Sequence, residues 1–172
     1  MAVLIERTYI VTKTLLTLCI AALLATGCAS PAGNKAIIRH WIEQGINQGN
    51  LAMADKLFAA NFVAHTPQGD VQGVPEGPKQ AVVTLRNAFP DIRFTISDQI
   101  AEGDKVATRW TASGTHEREF MGAAPTGKRI TFSAIYVYRL ARGKIVEVWT
   151  MSDTWGLLQQ LGFTLSPSPG GG

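Results

Sequence analysis

The sequence has few of the residues, and none of the common motifs, that carry nucleophilic or metal chemistry. Its 172 residues include two cysteines and three histidines. The absence of GxSxG, P-loop, GxGxxG and HExxH motifs argues against an elbow serine, a phosphate loop, a dinucleotide site and a zinc-protease site. His116-Glu117 begins a metal-like string, but the helix and second histidine are missing, so we predict no metal site. With nucleophilic and metal chemistry disfavoured, general acid/base catalysis is the chemistry that the sequence leaves open.

Charged residues are also scarce and evenly mixed. They make up 17% of the chain, and its 16 lysines and arginines against 13 acidic residues give a net charge of +3. No cluster of basic residues interleaved with aromatic ones occurs in the sequence, so a nucleic-acid partner is not predicted.

No apolar run is long enough to span a bilayer, but the N-terminus has the pattern of an export signal. Arg7 and Lys13 supply positive charge around its start, and the run from Thr14 to Ala25 is uncharged. A transmembrane helix needs about 20 apolar residues. This shorter run, followed by small and polar residues, is typical of a secretory signal instead.

The end of this segment resembles a bacterial lipobox. In the run Ala25-Thr26-Gly27-Cys28, Ala25 takes the place of the usual leucine. We predict a lipoprotein signal at residues 1–27, with lipid on Cys28. Cys19 would leave with the signal, so Cys28 would have no partner for an intramolecular disulfide. The alternatives are an ordinary signal peptide cut nearby and a buried N-terminal helix.

This interpretation predicts an exported protein, lipid-anchored to a bacterial membrane and on its periplasmic side in a Gram-negative cell. The exported part divides into a lipidated tether at 28–34, one domain at 35–162 and a disordered tail at 163–172 that contains SPSPGGG.

The period of the apolar residues changes once along the domain. Apolar residues at helical spacing predict three helices, at about 35–48 with Asn34 as its N-cap, at 50–58 and at 78–89. Phe62 to Thr66 is a short strand candidate. Later segments alternate as strands do, and a closing helix follows. We place those strands from Ile92, at 106–116, at 128–140 and at 145–151, and the helix at 155–161.

This order predicts an α+β domain with three helices packed on one face of a meandering antiparallel sheet. Glycines at bends, such as Gly114 and Gly122, would let long strands curve around a pocket. We therefore expect both a core and a ligand cavity.

Asp153 is the candidate acid/base. On the predicted strand from Lys144, the residues Ile145, Trp149, Met151 and Asp153 share one side. Burial among them would raise the pKa of the carboxyl toward neutrality and let it act as base and acid. Asp153 also stands immediately before the last predicted helix, where a role as N-cap would lower its pKa instead.

Two histidines are further candidates. His116 ends a strand on the side shared by Val106, Thr108 and Trp110, so its imidazole could face the pocket, and His65 ends the short strand before Pro67. The alternative for each is a hydrogen-bonded residue of the core or rim.

A series of short strings runs in order across residues 35–162. They are His65-Thr66-Pro67, Phe89-Pro90-Asp91, Glu102 to Val106, Gly114 to His116 with Glu119-Phe120, Pro125 to Lys128, Gly143 to Glu147, and Trp149 through Asp153 to Gly162. Together they resemble the SnoaL-like polyketide cyclases, also called ester cyclases, of the nuclear-transport-factor-2-like superfamily.

The resemblance implies a cone-shaped barrel of curved antiparallel sheet packed against three N-terminal helices, with a short C-terminal helix. Proteins of this kind commonly associate through the outer sheet face, so a homodimer is predicted. The resemblance also implies that Asp153 is the acid/base of a cyclase that closes a ring by intramolecular aldol addition without metal or cofactor.

In that chemistry Asp153 removes a proton alpha to a carbonyl, and a donor such as His116 stabilises the enolate oxygen or returns a proton. The remaining pocket residues are predicted to bind a small hydrophobic ligand. They are His65, Phe89, Trp110, Phe120, Trp149 and Met151.

Two features depart from the family pattern. Arg118, in the string HEREF, stands where glycine is common, and could narrow or charge the pocket mouth. The export signal is the other, because polyketide tailoring normally occurs in the cytoplasm. Our leading hypothesis is a cofactor-free acid/base enzyme of cyclase or isomerase type. The alternatives are a non-catalytic lipoprotein that carries a small apolar ligand and a membrane scaffold.

Overall fold

The computed structural model describes residues 30–72 and 76–164. The predicted signal, Cys28 and most of the predicted C-terminal tail lie outside the described residues. The helices are α1 (Pro31–His40), continued by a π-helical segment (Trp41–Asn47), α2 (Ala52–Leu57), α3 (Glu76–Ala88) and α4 (Thr154–Gln160). The strands are β1 (Phe58–Thr66), β2 (Gly69–Gln72), β3 (Arg93–Glu102), β4 (Lys105–Thr115), β5 (Arg129–Ala141) and β6 (Lys144–Ser152).

The first helix begins earlier than predicted. Ser30 caps it, because its hydroxyl oxygen accepts the backbone N–H of Gly33 at 3.1 Å, and Pro31 stands in the first turn, where a missing N–H costs nothing. Asn34, the predicted cap, is buried within the helix, and its amide donates to the Gly103 carbonyl at 3.4 Å. Residues 30–34, predicted as part of the tether, therefore belong to the domain.

The six strands form one curved sheet in the order β2-β1-β6-β5-β4-β3. Strands β3 to β6 form the predicted antiparallel meander. Strand β1 pairs antiparallel with β2 but parallel with β6, so the sheet is mixed, and it stays open between β2 and β3. The predicted fold class, an α+β domain with helices packed on a curved sheet and a short C-terminal helix, is confirmed, but the sheet is mixed and does not close into the predicted antiparallel barrel.

Strand β2 was not predicted. It lies in a stretch of prolines and glycines and is exposed along its whole length. It is held by backbone pairing with β1 and by the turn between them, in which the Thr66 hydroxyl donates to the Gly69 carbonyl at 2.8 Å. Because β2 buries no apolar side chain, its sequence carries no alternating pattern.

A β-bulge changes the phase of alternation in β6. Leu140 pairs with Ile145, but the preceding residue of β5, Arg139, pairs with Glu147, so Val146 is an extra residue in β6. As a result Ile145 and Val148 both point into the core. The prediction that Ile145 shares a side with Trp149, Met151 and Asp153 is therefore wrong.

The two ends of the sheet differ in how they are closed. We call the end that carries the β3–β4 and β5–β6 turns the turn end, and the opposite end, where β1 and β6 finish, the mouth end. At the β5–β6 turn Arg142 and Gly143 have φ values of 51° and 72°, the positive pair that a tight type I′ turn requires. The core is dense at this end, where Val106, Leu140 and Ile145 are at most 3% exposed.

Candidate functional site

A cavity of about 590 Å³ lies between the concave face of the sheet and the helices. This volume is in the range of pockets that enclose a small molecule. Most of its wall is apolar. The aromatic residues that line it are Trp41, Phe58, Phe62, Phe94, Trp110, Phe120, Phe132, Tyr136 and Tyr138.

Edge-to-face contacts hold these rings in place. On the side of the helices and β1, the ring centroids of Trp41 and Phe58 are 4.9 Å apart with nearly perpendicular planes. On the sheet, Trp110 makes the same kind of contact with Tyr136 at 5.1 Å. Such contacts add to the stabilisation from burial and leave each ring little freedom, so the wall is largely preformed.

The polar part of the wall consists mainly of hydroxyl groups on β5 and β6. The Tyr136 hydroxyl lies 3.3 Å from the Ser152 hydroxyl. Thr150 and Tyr138 also line the cavity. Thr150 and Ser152 alternate with Val148 on the concave side of β6, a consequence of the bulge at Val146.

Burial keeps the two phenols protonated. It raises the pKa of Tyr136, and the hydrogen bond with Ser152 opposes this only in part. It raises the pKa of Tyr138 further, with a contribution from neighbouring Tyr136. Both hydroxyls are therefore neutral hydrogen-bond donors near neutral pH, suited to a carbonyl or enolate oxygen.

Asp153 lies at the mouth of the cavity, between two residues that line it, Ser152 and Thr154. Its side chain is exposed and caps α4, because Oδ1 accepts the backbone N–H of Gly156 at 2.9 Å. A Cβ at position 156 would collide with this carboxylate, which explains the glycine. The N-cap interpretation is confirmed and the predicted burial is wrong, while the catalytic role stays a prediction.

Trp149 and Met151 lie on the outer face of the sheet. They are 37% and 67% exposed and do not line the cavity. Their predicted placement in the pocket is wrong because the bulge at Val146 shifts the alternation of β6 by one residue.

His65 also faces outward. Its ring stacks on Trp149 with centroids 4.9 Å apart, and its Nδ1 lies 2.8 Å from an Asp70 carboxylate oxygen. The neighbouring residue, Ala64, faces the cavity instead. His65 therefore belongs to the outer face, contrary to its predicted place in the pocket.

His116 and Phe89 form a layer behind the cavity wall. His116 is fully buried, its Nδ1 accepts the backbone N–H of Thr126 at 3.3 Å, and its ring packs 5.2 Å from Phe89. Phe89 in turn contacts Phe120 at 5.1 Å. Of these three predicted site residues only Phe120 lines the cavity, so His116 is too far back to contact a ligand in this arrangement.

The chain matches the family model of SnoaL-like polyketide cyclases over residues 36–161. It belongs to this family. IdmH from Streptomyces antibioticus is 36% identical, with 76% of this chain and 99% of that chain covered and a TM-score of 0.66. AclR from Streptomyces galilaeus is 30% identical, with 77% and 98% covered and a TM-score of 0.70. No protein of curated function matches the chain significantly.

Arg118, the departure from the family pattern, does not point into the mouth. Its guanidinium donates to the backbone and side-chain oxygens of Asn87 at 3.1 and 3.0 Å, beside the end of α3. It fastens the β4–β5 connection to that helix, so the expectation that it narrows or charges the mouth is wrong.

The SnoaL-like site contains residues that sequence reasoning did not select. Tyr136, Tyr138 and Ser152 supply most of its sheet-borne hydroxyls, and Phe132 widens its aromatic wall. The alternation of Phe132, Ala134, Tyr136 and Tyr138 along β5 is visible in the sequence and could have identified the three aromatic residues. Within residues 30–72 and 76–164, no group of three His, Cys, Asp or Glu residues is arranged to hold a metal ion.

Proposed function

We propose that this SnoaL-like protein is a cofactor-independent acid/base enzyme of cyclase or isomerase type, acting on a small hydrophobic carbonyl compound. The observation that carries the proposal is an aromatic cavity whose polar wall is made of neutral hydroxyls and whose mouth holds the carboxylate of Asp153. The apolar wall favours a hydrophobic ligand, because removing apolar surface from water contributes about 25 cal/mol per Å².

The hydroxyls of Tyr136 and Ser152 supply the electrophilic part of the proposed reaction. Their oxygens lie 3.3 Å apart, so one ligand oxygen between them could accept two hydrogen bonds. Because the pKa of Tyr136 is raised, the phenol donates without losing its proton. Donors fixed around a developing oxyanion stabilise it more than mobile water does.

Asp153 supplies the base. Its carboxylate takes a proton alpha to the carbonyl, and the electron pair of that C–H bond becomes the enolate. In a cyclase the enolate carbon forms a bond to a second carbonyl carbon, and the oxygen of that carbonyl takes the proton back from Asp153; in an isomerase another carbon takes the proton back from Asp153. Oδ1 of Asp153 accepts the N–H of Gly156, so the second carboxylate oxygen, Oδ2, is the one that takes the proton.

The names of related proteins do not agree on one reaction. IdmH is designated a polyketide cyclase and AclR a hydroxylase, although both are at least 30% identical to this chain. The proposal of enolisation or aldol chemistry therefore rests on the hydroxyls and Asp153.

The test is turnover of a panel of ketones and esters by the wild-type protein and by Asp153→Asn. Asparagine is as good an N-cap as aspartate, so the fold is kept while the base is lost. We expect a loss of at least about 100-fold, the usual contribution of a general base. Asp98→Asn is the matched control, because Asp98 pairs with Arg109 on the outer face at 2.8 Å. Unchanged turnover in Asp153→Asn would exclude the proposed base.

The alternative is a non-catalytic, membrane-anchored lipoprotein that binds or carries a small apolar ligand. One observation favours it: the residues that line the described cavity include no acidic or basic side chain. Mass spectrometry of protein purified from its native host distinguishes the two. A co-purifying ligand without turnover on the panel would support the carrier.

We further propose that lipid on Cys28 anchors the protein to a membrane and that two copies of the chain form a homodimer. The outer face of the sheet exposes Ile135, Met151 and Ile100 at 52%, 67% and 73%. Ile135 and Met151 are neighbours across β5 and β6, and a second copy would cover them. Analytical ultracentrifugation of the wild type and of Met151→Glu tests the dimer, which the added charge should dissociate.

A further inference from the structure

We infer that, with lipid on Cys28, the turn end of the sheet rests on the membrane and the cavity mouth opens away from it. This inference rests on the proposed lipidation of Cys28. It concerns how the domain is oriented, and from which phase a ligand enters.

The connection between anchor and domain is very short. Ser30 already caps α1, and Ala29 is the only residue between it and Cys28. Two residue steps span at most about 7 Å. The start of α1 must therefore lie close to the lipid headgroups.

The start of α1 lies at the turn end. Asn34, which is 1% exposed, donates to the carbonyl of Gly103 in the β3–β4 turn at 3.4 Å. At the far end of the helical segment, Asn47 exchanges hydrogen bonds of 2.9 and 2.7 Å with the backbone of Phe94, near the start of β3. Both ends of the helical segment are fastened to the sheet, so helix and sheet form one unit whose turn end carries the attachment to the anchor.

The mouth lies at the opposite end. Among the residues that line the cavity, Val71 and Met121 are 53% and 56% exposed. Gln68, in the β1–β2 turn, and Thr154, after β6, are exposed beside them. At about 3.3 Å per residue, the eight steps of β5 from Leu140 to Phe132 separate the closed end from the mouth by roughly 25 Å.

The charges of the domain favour the same orientation. Residues 28–172 contain fourteen basic and twelve acidic residues. At the turn end seven basic residues meet five acidic ones, so the net positive charge of the mature chain collects there. The basic residues are Lys35, Lys56, Lys79, Lys105, Arg139, Arg142 and Lys144, and the acidic ones are Asp55, Glu76, Glu102, Asp104 and Glu147. Anionic lipid headgroups attract such a surface.

This orientation deepens the proposed function. A mouth that faces away from the bilayer takes up its ligand from the aqueous phase or from a soluble donor. The substrate class is then a hydrophobic carbonyl compound that reaches the protein through water, and a lipid drawn directly from the anchoring membrane is disfavoured.

A fluorescence experiment on the full chain tests the orientation. The chain is produced with its own signal, purified with lipid attached, and inserted into phosphatidylcholine and phosphatidylglycerol vesicles that contain a nitroxide headgroup lipid. Two single variants, Arg142→Cys and Lys128→Cys, carry the same fluorophore. They are matched, since both replace an exposed basic residue and they flank β5 at opposite ends.

We expect the nitroxide to quench the label at position 142 at least about threefold more than the label at 128. Equal or reversed quenching, with lipid found on Cys28 by mass spectrometry, would overturn the orientation alone. An unlipidated Cys28 would overturn both the anchor and the orientation. Turnover of the ketone panel by the same samples shows separately whether the proposed enzyme function fails.

Discussion

The turn end and the mouth end of one sheet are built from different residues. At the turn end the inward positions Val106, Leu140 and Ile145 are aliphatic and at most 3% exposed. At the mouth end the inward positions of β6 are Thr150 and Ser152, which face the cavity. Close packing at one end supplies stability, so the other end can keep an unfilled volume lined with hydroxyls for a ligand.

The two ends should differ most in how much stability the protein loses when an aliphatic side chain is truncated. Ile145→Ala removes a fully buried side chain from the dense end and should lower the free energy of unfolding by about 3 kcal/mol. Val148→Ala is the control on the same strand. It should cost about 1 kcal/mol, because Val148 already borders the cavity on one side. Urea unfolding measures the free energy of unfolding of both variants, and equal losses would contradict the difference in packing between the two ends.

The next effect concerns the hydroxyls of the mouth end. Tyr136→Phe keeps the ring and removes the oxygen that lies 3.3 Å from Ser152. We expect kcat to fall by about tenfold or more, as for the loss of one oxyanion donor, with little change in the urea midpoint. If kcat is unchanged while ligand affinity falls, the hydroxyl binds the ligand without stabilising the oxyanion.

A smaller effect separates the two roles of Asp153. Asp153→Ala removes the N-cap of α4 and should lower the free energy of unfolding by about 1 kcal/mol, whereas Asp153→Asn should leave it nearly unchanged. Thermal unfolding of the pair tests this. Equal destabilisation would mean that charge, and not the cap hydrogen bond, stabilises the helix.

The smallest effect is a pH dependence at the mouth end. The backbone N–H of Thr115 donates to Asp91 at 2.6 Å and lowers the pKa of that carboxyl, and the Thr115 hydroxyl adds to this. A lowered folded-state pKa stabilises the protein above the unfolded-state pKa, and this stability is lost as pH falls through the folded-state value. Since Asp91 is largely exposed, we expect less than about 1 kcal/mol. Asp91→Asn should flatten the acid limb of a plot of stability against pH, and an unchanged limb would contradict this.

The fold was largely predictable because its helices bury apolar residues at helical spacing and strands β4 and β5 bury alternating apolar residues. The glycines at bends predicted the curved sheet and the pocket, and the family resemblance supported both. Strand β2 was not predictable in this way, since it buries nothing and depends on pairing with β1.

The site was harder to predict because its geometry depends on one extra residue. The bulge at Val146 follows from how β6 pairs with two neighbours, and no local propensity marks it. Because the prediction did not include the bulge, it placed Trp149 and Met151 on the cavity side of β6 and left Ser152 out of the cavity wall. By contrast, Trp110 and Phe120 were placed correctly in the cavity wall, since neither depends on the phase of β6.

The most direct test of the account is proton exchange at the α carbon of a ketone that binds in the cavity. In D₂O, NMR of the ketone should show deuterium incorporation faster with the wild-type protein than in buffer, and incorporation near the buffer rate with Asp153→Asn. Exchange no faster than in buffer, for a ketone shown to bind the wild type, would contradict the acid/base role and favour a carrier.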